Sequence, residues 1–144
     1  MNWIGRWLAW IRQKPALPKH LRTGILGERE ARRWLRKKGM KFLTANYRTR
    51  HGEIDLIFRD HDCLAFIEVK TRSNADWVRP EQAVDAPKRR RLILSGEEYV
   101  RNLRGVRPKW RFDIVEVLVA DQKVREIRHL PNAFSGDLRD IKLR

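Results

Sequence analysis

Residues 52–72 read GEIDLIFRDHDCLAFIEVKTR. Residues 54–58 and 64–69 are apolar runs rich in Ile, Val and Phe, parted by the polar Asp60-His61-Asp62. Two such runs around a short polar stretch predict a β-hairpin. A connection spanning Asp60 to Cys63 is a common hairpin length. It pairs Arg59 with Leu64, and counting back sets Ile57 against Phe66, Asp55 against Glu68 and Glu53 against Lys70. Side chains alternate along a strand, so these last six share one face. Ile54, Leu56, Phe58, Ala65, Ile67 and Val69 share the other, and so apolar a face has to be buried.

The first face begins apolar and ends in three carboxylates and a lysine. Directly opposed residues bring their Cβ atoms within about 5 Å, where like charges are destabilising. Asp55 opposite Glu68 is such a pair. A hard divalent cation would turn that repulsion into ligation, because it takes carboxylate oxygens and waters. A solvated hairpin end, with Glu53 and Lys70 as a surface ion pair, accounts for the same spacing. The register carries the argument, since a slip of one residue moves Asp55 to the other face.

Asp55, followed across the hairpin by Glu68-Val69-Lys70, resembles the PD-(D/E)xK nuclease motif. GEIDLI followed by FIEVKTR, with GERE upstream and RFDIV downstream, is more narrowly similar to the YraN family. These are small bacterial proteins of largely unestablished function, similar in fold to Holliday-junction resolvases. Ile54 stands where the superfamily's name puts proline. The resemblance covers roughly residues 24–134. It implies a mixed α/β domain of restriction-endonuclease-like type, with a central sheet of about five strands flanked by helices. It also implies Mg2+ or Mn2+ held by Asp55 and Glu68, with the carbonyl of Val69 as a further ligand. Lys70 would be the catalytic lysine. By the match of GERE, Glu28 completes the metal site, although a glutamate in the first turns of a helix also favours the helix dipole.

Composition points the same way. The chain of 144 residues carries 33 Lys+Arg against 18 Asp+Glu, a formal net charge of +15. That surplus favours a polyanionic partner, nucleic acid before membrane. The single cysteine, Cys63, excludes an internal disulfide and a cysteine zinc cluster, and fits a reducing, cytoplasmic location. No apolar run approaches a membrane span, and no secretory leader is recognisable. The histidines show no zinc-ligand spacing.

Along the chain, residues 1–14 place tryptophans, Ile4, Leu8 and Ile11 near helical spacing with Arg6 and Arg12 between them. This predicts an amphipathic helix that packs on the domain or a partner subunit; an interfacial membrane helix is the sharper alternative. Residues 15–22 read as a linker. A helix is expected over residues 25–38, with Thr23 as N-cap and Gly39 as stop. A first strand over residues 41–48 makes a meander with the hairpin. The stretch after Arg72 is a loop holding Gln82, a candidate nucleic-acid contact by resemblance. Pro87 opens a helix to about Leu103, with Leu92, Gly96, Tyr99 and Leu103 as its inner stripe. Its first turn, Lys88-Arg89-Arg90-Arg91, would hold a phosphate by amides and side chains together, unless it is a solvated basic patch. Arg72 is another cationic candidate. Residues 110–119 and about 123–129 are the last two strands, joined by a turn at Asp121-Gln122, with Asp113 structural. The organisation is then residues 1–22 as helix and linker, 23–134 as the domain and 135–144 as a polar tail. The expected function is a magnesium-dependent endonuclease on DNA, branched DNA included. A homodimer follows if a junction needs two-fold sites. The rival is a non-catalytic nucleic-acid-binding protein.

Overall fold

The computed structural model describes residues 16–73 and 80–141. The helix expected over residues 1–14 and residues 74–79 of the loop expected after Arg72 lie outside them; Gln82, expected in that loop, falls in a one-turn helix over Pro80–Ala83. One sheet is formed by β1 (Lys41–Thr49), β2 (Gly52–Asp60), β3 (Cys63–Arg72), β4 (Lys109–Ala120) and β5 (Lys123–Phe134), in that spatial order. The first three make an antiparallel meander. β4 lies parallel to β3 and antiparallel to β5. Helix α1 (Lys19–Lys37) precedes the sheet. A short turn α2 (Pro80–Ala83) and helix α3 (Ala86–Asn102) form the crossover that a parallel neighbour requires. The mixed α/β sheet flanked by helices is the architecture the sequence implied.

The helices cover opposite faces of the sheet. Ala31 and Leu35 of α1 pack on Leu56, Phe58, Ala65, Ile67 and Val115. Leu92 and Ile93 of α3 pack on Ile57, Leu64, Phe66, Phe112 and Ile114. β3 is therefore buried on both faces, and its unbroken apolar run Leu64–Ile67 reflects that position. Gly96 lets α3 approach, because a Cβ there would stand 3.0 Å from Phe66 and 3.1 Å from Phe112.

From Leu56 to Asp60 the hairpin register is the one counted from the sequence, with Ile57 paired to Phe66 and Arg59 to Leu64. The counted pairs Asp55–Glu68 and Glu53–Lys70 are not formed, because the two strands part beyond Leu56–Ile67. The connection is tighter than expected. Asp60 pairs with Cys63, which leaves His61-Asp62 as the turn, with His61 at φ 54°. The expected facing of Ile54 is overturned. It packs in the α3-side core with Ile57, not on the α1 side with Leu56. Between the pairs Ala45–Leu56 and Tyr47–Ile54, Asn46 adopts φ 51°, and this left-handed residue breaks the alternation of β1 and its partner.

Helix α1 starts earlier than the Thr23 cap implied. Pro18 is its N-cap, and the Thr23 hydroxyl instead donates to the carbonyl of Lys19 at 2.9 Å inside the helix. Gly39 ends it at φ 89°, as its position suggested. Residues 135–141, read as tail, contain a 3-10 turn at Leu138–Asp140, and Leu138 and Ile141 pack against the α3-side core. Among the described residues no helix is long and apolar enough to cross a membrane.

Candidate functional site

β2 and β3 hydrogen-bond to each other only as far as Leu56–Ile67, although β2 reaches back to Gly52 and β3 runs on to Arg72. Beyond that pair the two strands follow different neighbours, β1 and β4. The Asp55 carboxylate sits at the parting. Its Oδ2 accepts the backbone N–H of Val69 at 2.7 Å, a donor that the ladder would otherwise have used. The carboxylates of Asp55 and Glu68 are thereby brought close enough to repel. Burial, and then the charge of Glu68, push the Asp55 carboxyl up to about 7, against the opposing pull of the Val69 hydrogen bond.

Glu68 is buried in the middle of this cluster. Its Oε1 lies 3.1 Å from Nζ of Lys70, and its Oε2 lies 3.4 Å from Nζ of Lys88. Oε2 is buried without a hydrogen bond. Lys88 comes from the first turn of α3, where Asp85 caps the helix by accepting the Lys88 N–H at 2.8 Å. Glu28, half-buried on α1, lines a cleft with Thr23, Val69 and Thr71. Its carboxyl is also pushed up, by burial first and then by the charges of Glu53 and Glu68. α1 can come this near because residue 27 is glycine: a Cβ there would lie 2.0 Å from Oγ1 of Thr71.

The structure thus brings Asp55, Glu68, Val69 and Lys70 together and adds Lys88 to them. Glu28 joins them through its field. Among the described residues, no three His, Cys, Asp or Glu side chains are gathered tightly enough to hold a metal as they stand. The donor set is nonetheless oxygen-rich and of the kind that hard divalent cations take, and Glu68 Oε2 is a buried acceptor with unused capacity.

The other cations of the first turn of α3 divide. Arg89 turns inward, donating from Nε to the carbonyl of Val84 at 2.9 Å and lying over the Phe134 ring at 5.5 Å. Arg90 and Arg91 are exposed, as is Gln82. Arg72 stands 3.8 Å from the carboxylate of Glu116, which is fully buried on β4 opposite Lys70 and also takes Arg128 Nε at 2.8 Å. Glu116 was missed in the sequence, and Lys88 was read there only as a phosphate contact, not as a partner of Glu68. Glu116 could have been found as a lone carboxylate inside IVEVLV; the position of Lys88 follows only from the parallel crossover.

Asp113 is buried and saturated. It takes Arg111 Nε at 2.9 Å, His129 Nε2 at 2.9 Å and the N–H of Asn132 at 2.8 Å. Its carboxyl lies below the usual range: burial acts upward, and the bonds from His129 and Arg111 outweigh it. The structural role expected of it is what these bonds describe.

Fold and site together define a mixed α/β protein with a carboxylate–lysine cluster where two sheet strands part. The chain belongs to the uncharacterised protein family UPF0102, the YraN family, whose model matches residues 27–117. A UPF0102 protein of Syntrophomonas wolfei is 40% identical over 111 residues, 77% of this chain and 96% of the relative. One of Solibacter usitatus is 46% identical over 108 residues, 73% and 82% respectively. One of Anaeromyxobacter dehalogenans is 38% identical over 114 residues, 79% and 84%.

Proposed function

We propose that this protein is a divalent-metal-dependent nuclease that acts on DNA. One observation carries the reading: β2 and β3 part around Asp55 and Glu68, with the ammonium of Lys70 3.1 Å from Glu68. The charge of Glu68 beside the Asp55 carboxyl is costly unless a cation or a proton neutralises the pair. Asp55 and Glu68 would hold Mg2+ or Mn2+, with Glu28 and the carbonyl of Val69 as further ligands. A metal bound there supplies Lewis acidity and a more acidic water. Lys70 would orient the attacking water and stabilise charge on the phosphoryl group. Arg72, Lys88, Arg90, Arg91 and Gln82 would engage the DNA, and Arg89 would support that turn from behind.

The contacts of Glu68 also favour a second reading. Lys70 and Lys88 already neutralise it without a metal, as a non-catalytic nucleic-acid-binding protein would require. One panel separates the two. Labelled duplex, single strand, flap and junction DNA would be incubated with Mg2+, Mn2+ or chelator. The nuclease reading expects metal-dependent products, lost in Asp55→Asn and Lys70→Ala while binding persists. Binding to every substrate with no product in either metal supports the binding protein instead.

A further inference from the structure

The exposed face of α1 is the most concentrated charge in the described molecule outside the site. The helix carries seven Lys and Arg against two Glu. Arg29, Arg32, Arg33, Arg36 and Lys37 line one shallow hollow with no other residue in its wall. Arg29 meets Glu30 at 3.2 Å. Among the described residues the other four have no carboxylate within ion-pair distance. Like charges at i,i+4, here Arg29–Arg33–Lys37 and Arg32–Arg36, weaken a helix, so this face is not arranged for the stability of α1.

Two of the cations are held in place. The guanidinium groups of Arg32 and Arg36 lie 5.2 and 4.9 Å from the centre of the same Phe42 ring, on the edge strand β1. A ring shared by two guanidiniums fixes their stems and leaves their donors outward. The row Glu28–Arg32–Arg36 begins at the cleft beside the site and follows the helix away from it.

We infer that this face of α1 is a track for the phosphate backbone of duplex DNA leading away from the cleft at Glu28. The inference rests on the proposed nucleic-acid function and says where the substrate lies. Length decides between a small anion and a polymer. From Arg29 to Lys37 the helix rises about 12 Å. With α1 along the duplex axis, at about 3.4 Å of axis per phosphate of one strand, that spans roughly three or four phosphates. A single phosphate would use only a fraction of the row.

The test is anisotropy of a labelled 20-base-pair duplex titrated with salt in chelator, so that no cleavage enters. Arg33→Gln/Lys37→Gln removes two exposed cations that touch neither core. The expected result is a log–log salt slope shallower by about 1.8, at about 0.9 per lost phosphate contact, with melting no lower than wild type. Phe42→Leu keeps every charge and should weaken binding with a smaller change in slope. Arg101→Gln/Arg104→Gln, at the far end of α3, serves as control and should leave the slope unchanged. A wild-type slope in the α1 double variant overturns the track while leaving DNA binding intact. An equal loss in the control pair overturns it too, because binding is then diffuse. A wild type that binds no duplex at any salt overturns the proposed function along with it.

Discussion

Asp55→Asn isolates the charge at the parting strands. The amide keeps an oxygen for the Val69 N–H, now accepted by Asp55 Oδ2 at 2.7 Å, and cannot ionise. In the fold the Asp55 carboxyl is pushed from 3.8 up to about 7, by burial first and by Glu68 second. An acid raised by folding holds its proton more tightly in the native state. The native state is therefore favoured while Asp55 is protonated. It loses stability as pH climbs from the unfolded value near 4 to the folded value near 7, and the loss is constant above that. At about 1.4 kcal/mol per pH unit the interval amounts to an upper bound of about 4 kcal/mol at pH 8 and about 1.5 kcal/mol at pH 5. Asparagine removes the loss. In chelator the variant should thus melt above wild type by on the order of 10 °C at pH 8, with the gap shrinking towards pH 4. Thermal and urea melts at several pH values measure it. A gap that does not change with pH, or a variant less stable at pH 8, would refute the account of Asp55 as a buried, repelled carboxyl.

Three other outcomes follow from the same geometry. Manganese should raise the wild-type melting temperature more at pH 8 than at pH 6, because ligation must displace the Asp55 proton; Asp55→Asn should abolish the response, and uncleavable DNA should enlarge it. Gly27→Ala should cost about 1–3 kcal/mol by denaturant unfolding, through overpacking against Thr71, and Thr71→Ala should recover part of that, since the 2.0 Å approach is to its Oγ1. Asp113→Ala should cost about 3–5 kcal/mol, because Arg111, His129 and the Asn132 amide lose a common buried partner; a loss under about 1 kcal/mol would mean that these groups find other partners, Arg111 through the bond its Nη2 already donates to Asp60 Oδ2 at 2.9 Å.

The fold was legible where period and punctuation agreed. Two apolar runs around Asp60-His61-Asp62 gave the hairpin register, which survived a shorter turn because Asp60 and Cys63 pair across it. Asp121-Gln122, both at positive φ, closed the last hairpin where expected. Strict alternation failed at Ile54 because Asn46 on the neighbouring strand is left-handed; asparagine tolerates that conformation better than most residues, but its type alone does not say that it adopts it within a strand. The start of α1 was hidden because Thr23, a good cap, bonds backwards within a helix already begun at Lys19. At the site, Asp55, Glu68 and Lys70 could be read because they lie on one hairpin, whose spacing brings them close even though the strands part before Asp55 and Glu68 can pair. Lys88 could not. It reaches Glu68 only because the crossover from β3 to the parallel β4 starts α3 beside the end of β3, and the orientation of β4 leaves no local trace. Gly27 within GERE was legible only as a motif letter; its reason is the Thr71 hydroxyl against it.

The charges at the parting strands constrain how the site can be filled. With Asp55 near its midpoint at neutral pH, Glu68 is balanced from both sides by Lys70 and Lys88. A divalent cation entering there must displace a proton from Asp55 and compete with Lys88 for Oε2 of Glu68. Each step opposes binding to the protein alone. A DNA phosphate changes both, because its negative charge gives the released ammonium groups a partner and offsets the added cation. Metal and DNA should therefore bind cooperatively, each raising the affinity of the other by the same factor. On the proposed function, this arrangement would suit a protein that cuts only what it holds: the bare site is nearly self-neutralised, and a substrate phosphate would free the carboxylates to take a metal.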